Sequence, residues 1–529
     1  MKRRDIFKYF TVSGIGAAIG AIVGSKASQP HPYGLMRKTD SGKSGAENVG
    51  VYDRHAPGYL KTVSDIINGL PVSALRFIDR SKHAGIRGRT NTDDLAAALE
   101  LGIDALHDND GGGELSIPPG LYHVTPGQIK LKKGVYLSGM GGVKPNNIAD
   151  AGVVLRAAST LDDWLIDIDG SAGRVRGVGV RGIALDCGYK SRGLRANICA
   201  EFELGGLLVN QAKGEAVQFR NAWDAEIRSV FAAQCGDAAR GIAAIEIQTD
   251  TSDNSNSLHF FGIRTEASTW ANLAIRDVED VGVGSSNNLQ FIGCKFHLPA
   301  APYAIPDAPN LILRPADNVA FIGGQIYDAG ASHSVIDIGE DVLDRPFSYS
   351  MSGVQLEART ASQLIGVRAG SNAAQMLELR GNALTKNGNH AGSLTGIGVD
   401  AGFQGYVIDM GNQDQGLDNR LAGNTGRVSV PMGSSLSYRG AGDFEVRTDT
   451  DNRIVFYTNG AQAGYIAKDG NLFWDGKLVR ANIFELRDGI TAPGAGADGA
   501  RLYVDAADGN LKIVFSDGTT KTIVTDSMI

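Results

Sequence analysis

Along the middle of the chain, twelve-residue segments recur in which apolar and polar positions alternate around one glycine. Residues 255–266, 286–297, 316–327 and 346–357 align on Gly262, Gly293, Gly323 and Gly353, which are spaced 31, 30 and 30 residues apart. The series extends outward to Gly182, Gly206, Ser229, Gly381 and Gly411, with spacings of 24, 23 and 33 before the central four and 28 and 30 after them. A second short apolar strand recurs between the glycines, at 217–220, 245–248, 273–276, 311–314 and 365–368. Two to three short strands per coil of 23 to 33 residues predict an all-β chain whose segment from about Val178 to about Gln415 is a single-stranded, right-handed parallel β-helix. Alternation assigns the faces. Leu258, Phe260, Ile263 and Thr265 point inward with their counterparts Leu289, Phe291, Cys294 and Phe296, so the residues between them form outward columns.

Before the repeat, Leu75-Arg76-Phe77-Ile78 reads as a short strand. Asn91-Thr92-Asp93-Asp94 then supplies an N-cap signal for a helix running to Leu106. A stack of parallel coils exposes apolar interior at its first rung, and this helix can cover it. The run Gly111-Gly112-Gly113-Glu114-Leu115-Ser116-Ile117-Pro118-Pro119-Gly120-Leu121-Tyr122 follows, and later Lys132-Lys133-Gly134-Val135-Tyr136-Leu137-Ser138-Gly139. Here the chain resembles the pectate-lyase-like family of right-handed parallel β-helix proteins, in the form seen in phage tailspikes and capsule depolymerases. The resemblance is close over residues 71–142 and extends to the coils only in pattern. It implies a β-helix with a capping helix over residues 71–423, and it says little about chemistry.

Three outward columns carry candidate chemistry. Three positions before the repeat glycine stand Glu203, Glu226, His259, Gln290, Ala320, Ser350 and Glu378; four positions after it stand Asp186, Asn210, Ala233, Glu266, His297, Tyr327, Glu357, Thr385 and Gln415. Two positions after it are Arg264, Lys295, Gln325, Gln355 and Gln413. Glycoside hydrolysis needs two carboxyl groups, about 5 Å apart for retention and about 6.5–9.5 Å apart for inversion. Glu226 and Glu266 are the first candidate catalytic pair, with Glu203 in reserve. His259, Arg264, Lys295, His297, Tyr327 and Glu357 are candidate substrate-binding residues expected on the same face. A column of arginines on the second strand, Arg220, Arg276, Arg314 and Arg368, has Glu246 and Asp337 nearby; Arg276 and Arg314 would bind sugar carboxylates by forked hydrogen bonds or join subunits. Outward charges of this kind are also met by solvent alone. Trp223, Trp270 and Tyr303 are candidate sugar platforms, with core packing the favoured reading of Trp223, and the polar loop 249–257 is a candidate groove wall. A lyase reading would need an acidic sugar and a base such as Lys295 or Tyr327.

The remaining features bound the possibilities. Net charge is −7 with no run of Lys or Arg, which disfavours nucleic acid as a partner. The 70 Gly against 16 Pro, without a collagen period, suit a chain that turns tightly and often. Cys187, Cys199, Cys235 and Cys294 lack metal-ligand spacing and read as small buried hydrophobes. No catalytic triad, P-loop or dinucleotide fingerprint has the required context, and no cofactor or metal is expected. Residues 1–27 combine Lys2, Arg3 and Arg4 with an apolar stretch and read as a targeting or a docking segment; residues 3–8 resemble a twin-arginine export signal. Residues 28–70 read as a linker or adaptor, and residues 424–529, rich in Asp-Gly turns, as a β-rich trimerisation module whose last stretch, 499–524, resembles the tail end of phage fibre proteins.

The expected function is therefore that of a tailspike-like homotrimer that binds and hydrolyses a bacterial surface polysaccharide, with its N-terminal region on a phage baseplate or tail. An exported bacterial polysaccharide lyase or hydrolase of the same fold, and a non-catalytic receptor-binding fibre, stand as alternatives.

Overall fold

A computed structural model describes residues 71–139, 148–250, 253–277, 285–298, 306–339, 345–368, 374–400, 403 and 405–422. Outside this stretch it describes residues 35–37, 49–52, 60–62, 427–429, 444–448, 454–458, 461–466, 472–474, 500–504, 510–515 and 517–524. The segment 1–27 and Tyr303 lie outside the described residues. The chain divides into two compact units, Met1–Thr448 and Asp449–Ile529.

The first unit contains a parallel β-helix. Each central coil contributes a strand, a left-handed corner, a second strand and, after a turn, a strand of another sheet. One coil reads Asn256–Phe261, Gly262, Arg264–Glu266, Leu273–Asp277. The next reads Ser286–Ile292, Gly293, Lys295–His297, Leu311–Leu313. Their pairing is parallel and one-to-one. Two stacks result, a large sheet reaching from Val72–Ser73 to Arg427–Ser429 and a smaller one from Trp164–Asp169 to Asn419–Ala422. Parallel stacking thus begins well before the region in which the repeat is clear in the sequence.

The repeated glycine has a definite cause. Gly262, Gly293, Gly323 and Gly353 have φ between 60° and 66°, and a Cβ at any of them would meet nothing within 4 Å. Backbone conformation rather than space selects glycine there. Ser229 holds the equivalent corner at φ 53°.

Inside the coils, Leu258, Phe260, Ile263, Thr265, Leu289, Phe291, Cys294 and Phe296 are all buried, as the alternation requires. Phe260, Phe291 and Phe321 stack face to face, with centroids 4.5 and 4.6 Å apart, so one coil step sets the distance between aromatic rings. The four cysteines are free and buried in the same core.

At the start, the predicted strand at Leu75–Ile78 is not formed. Val72–Ser73 pairs with the first coil and a 3-10 turn, Ala74–Arg76, follows. That turn buries Ala74 and Ile78 and brings Phe77 against the helix at Gly102, which a strand could not do at once. The helix itself is Ala96–Asp110, a turn longer than expected, and ends at Gly111 with φ 66°. Asp94 Oδ1 accepts from Ala96 N at 3.0 Å, and the same carboxylate takes Thr125 Oγ1 at 2.6 Å, tying the helix start to the first coil. Leu95, Leu99, Ile103 and Leu106 share the core of Leu115 and Leu137.

In the second unit, Ile454–Thr458, Ala461–Ile466 and Leu472–Trp474 form one antiparallel meander. Ala500–Val504, Leu511–Phe515 and Thr520–Val524 form another, with Asp517-Gly518 in its last turn.

Candidate functional site

The outward columns exist in the expected register. Glu203, Glu226, His259, Gln290, Ala320, Ser350 and Glu378 are successive partners along the stack. So are Asp186, Asn210, Ala233, Glu266, His297, Tyr327, Glu357, Thr385 and Gln415. The third column runs Arg264, Lys295, Gln325, Gln355, Ala383, Gln413.

A left-handed corner, Ser229 or Gly262 in these coils, lies between the column of Glu226 and that of Glu266. Glu226 and His259 belong to the strand before the corner, whereas Arg264, Glu266, Lys295 and His297 belong to the strand after it. What the fold does bring together is Glu203 and Glu226, direct register partners on adjacent coils.

At that pair, Arg228 Nε and Nη2 donate to Glu226 Oε2 at 2.9 and 2.6 Å. The Glu226 side chain is 54% exposed, so the pair is open to solvent. The Arg228 guanidinium lies 4.3 Å over the Phe261 ring, and half-buried His259 is the next residue on the column. Arg228 was not expected from the motifs, yet Glu226-Ile227-Arg228 and Glu378-Leu379-Arg380 share one pattern, and alternation puts both charges of each on the same face.

Beyond the corner, Glu266 accepts from Arg264 Nε at 2.7 Å and lies 3.5 Å from Lys295 Nζ. His297 and Tyr327 meet edge to face, with centroids 5.4 Å apart. Burial, helped by Lys295, lowers the His297 pKa, and burial raises that of Tyr327. Glu357 accepts from Asn387 Nδ2 at 2.5 Å. This column is a connected ladder whose members differ in chemistry from coil to coil.

The arginine column is turned onto the chain's own carboxylates. Arg276 Nε and Nη2 donate to Glu246 at 2.8 and 2.7 Å. Arg314 and Arg368 share Asp337, and Arg220 holds Asp250. Forked binding of a sugar carboxylate by Arg276 would compete with a pair already made. Beneath it runs a buried network that sequence reasoning missed in part: Gln218 Nε2 donates to Glu215 Oε1 and to Gln248 Oε1, and Gln248 Nε2 donates to Glu246. Burial pushes Glu246 up to about 7 and raises Glu215 as well. Register alone would have matched Gln218 with Glu246, but its burial depends on what packs above the sheet.

Of the proposed platforms, Trp223 has Arg174 over its ring at 3.7 Å and donates through Nε1 to Asn254 O at 2.8 Å, so it is a packed residue. Trp270 packs against Ala243, Ala271, Ala274 and Ile312. In the 249–257 loop, Asp250 and Ser255 are buried anchors rather than a free wall.

The fold is similar to that of ORF18 of Geobacillus virus E2, at 17% identity over 92% of this chain and 94% of that one, with a TM-score of 0.52. It is also similar to the Streptococcus pneumoniae surface protein and adhesin PfbA, at 12% identity over 67% of this chain and 100% of that one, with a TM-score of 0.50. The shared fold is the parallel β-helix. Tailspike protein 3 of bacteriophage CBA120 matches at 11% identity over 88% of this chain and 70% of that one, with a TM-score of 0.37. No family model and no curated protein matches the sequence.

Proposed function

We propose that this chain binds a bacterial surface polysaccharide along the outside of its β-helix and cuts it by glycosidic hydrolysis, with Glu203 and Glu226 as the carboxyl pair. The observation that carries the reading is their register partnership. Adjacent coils are ~4.8 Å apart, so the two carboxyl groups fall near the ~5–5.5 Å of retaining enzymes rather than the wider spacing that admits a water between them. The two hydrogen bonds from Arg228 suit Glu226 to the anionic role. Its oxygen would bond to the anomeric carbon while the glycosidic C–O bond breaks and Glu203 gives its proton to the leaving oxygen. Water would then displace Glu226, returning a proton to Glu203. Glu266, beyond the corner, is not part of this pair.

The same reading makes the protein a phage or prophage tailspike in a virion tail, trimeric through its C-terminal module, with the N-terminal region as its attachment. Export by a twin-arginine-like signal is the alternative for that region.

The test is reducing-end release from purified capsule or lipopolysaccharide by the full chain. Glu203→Gln and Glu226→Gln should each cut the rate by about 10²-fold or more, with Glu266→Gln near wild type. Full activity in both of the first two would sink the pair. A non-catalytic receptor-binding fibre is the second reading, favoured by the clamp that Arg228 already makes on Glu226; binding without any reducing-end release would select it.

A further inference from the structure

Beside the carboxyl pair, an aromatic ring lies along the surface where a side chain is missing. Tyr136, Gly179 and Glu203 are consecutive partners in one column, each a coil apart. A Cβ built on Gly179 would fall 2.4 Å from Tyr136 Cδ1 and 2.5 Å from Cε1. The ring therefore extends over the bare backbone of Gly179, toward the coil of Glu203. Gly179 is buried and Tyr136 half-exposed, which leaves part of the ring open to solvent. Gly179 is not needed for backbone conformation, since it is absent from the left-handed positions that occupy the corners. Its missing side chain accommodates the ring.

The surroundings fit the same purpose. In the neighbouring column, Gly205 again lacks a side chain, with Glu203 Oε1 and Arg181 Cβ as the nearest atoms to where its Cβ would stand. Arg181 Nη2 donates to Glu114 at 2.8 Å, an ion pair that spans from the coil before Tyr136 to the coil after it and so runs alongside the ring. Its guanidinium stays about half exposed, with further N–H groups for hydroxyls. Phe261, on the opposite side of the carboxyl pair, has its ring covered by Arg228 and is not equivalent.

We infer that Tyr136, laid over Gly179, is a stacking platform for a pyranose unit of a polysaccharide that runs along the β-helix axis past Glu203 and Glu226. The inference rests on the polysaccharide reading above and deepens it. One coil step is close to the length of one pyranose unit, so a sugar seated on Tyr136 would place a neighbouring unit at the carboxyl pair. The apolar C–H face of the sugar would meet the ring while its hydroxyls reach Arg181. Tyr136 would then act in binding and specificity, without touching the reacting bond.

The test uses the full chain carrying Glu226→Gln, so that binding is read without turnover, on a printed array of purified bacterial capsular and O-chain polysaccharides. Tyr136→Ala should weaken binding to the polysaccharide that the parent retains by about tenfold, and Tyr136→Phe should restore it. Gly179→Ala is the decisive variant: it keeps the tyrosine but pushes the ring off its bed, and it should weaken binding as Tyr136→Ala does. Unchanged thermal unfolding of Gly179→Ala would show that the fold is intact. If the parent binds and wild type cleaves, but Tyr136→Ala and Gly179→Ala bind as the parent does, the platform is overturned and the polysaccharide reading stands. A parent that retains no polysaccharide overturns both.

Discussion

Glu226 keeps one oxygen under two nitrogens of Arg228, as Glu378 does under Arg380 and Glu266 under Arg264, and what separates it from these is Glu203 beside it in register. Removing the arginine should therefore affect chemistry more than stability. Arg228→Ala is expected to lower turnover on the cleaved polysaccharide by at least tenfold while shifting stability by less than about 1 kcal/mol, as is usual for exposed pairs. Initial-rate kinetics and thermal unfolding on the same preparation check both halves.

Glu246 behaves differently because it is fully buried. Burial raises its folded-state pKa to about 7, above that of the unfolded chain, so its contribution to stability is complete at low pH and is lost as pH rises toward about 7. Glu246→Gln should flatten the fall in stability between about pH 5 and pH 8 relative to wild type, read as urea midpoints across that range. An equal fall in both proteins would contradict the assignment.

At the scale of the coil, two features set stability, the corner and the aromatic stack. Gly293→Ala meets no steric obstacle, yet its φ of 62° should cost about 1–2 kcal/mol, the usual penalty for a left-handed non-glycine residue. Phe291 touches rings on both neighbouring coils, so Phe291→Ala leaves a cavity in a continuous column. A loss of about 3–5 kcal/mol is expected from chemical unfolding, larger than for the corner. The element that departed from expectation, the 3-10 turn Ala74–Arg76, has apolar spacing that serves a single turn as well as a strand. Contact of Phe77 with the helix at Gly102 decides between them.

At the scale of the molecule, each described coil of the first unit pairs with its neighbours along the stack, so the β-helix behaves as a quasi-one-dimensional array. In the C-terminal unit the described strands form two antiparallel meanders, and the trimer is the proposal to test there. Native mass spectrometry of the full chain is expected to show a trimer, and a chain ending at Thr448 a smaller species. A monomeric full chain would remove the trimeric tailspike reading.

The sequence by itself determined the recurrence of the coils, the inward residues and the outward columns from Glu203 and Asp186 onward, though not Ala383 in the column of Arg264 or Tyr136 and Gly179 in that of Glu203, because alternation leaves one register in which Leu258, Phe260 and Ile263 are all buried. It also placed Glu203 next to Glu226 in one column. Only the tertiary structure decided that Ser229 takes the same left-handed φ as the repeat glycines, since a serine side chain does not favour that conformation. It alone decided which carboxylate each arginine takes, because long flexible side chains choose among partners two residues or a whole coil away. Tyr136 over Gly179 belongs to the same class: a glycine that makes room and a glycine that makes a turn are written with the same letter, and packing tells them apart.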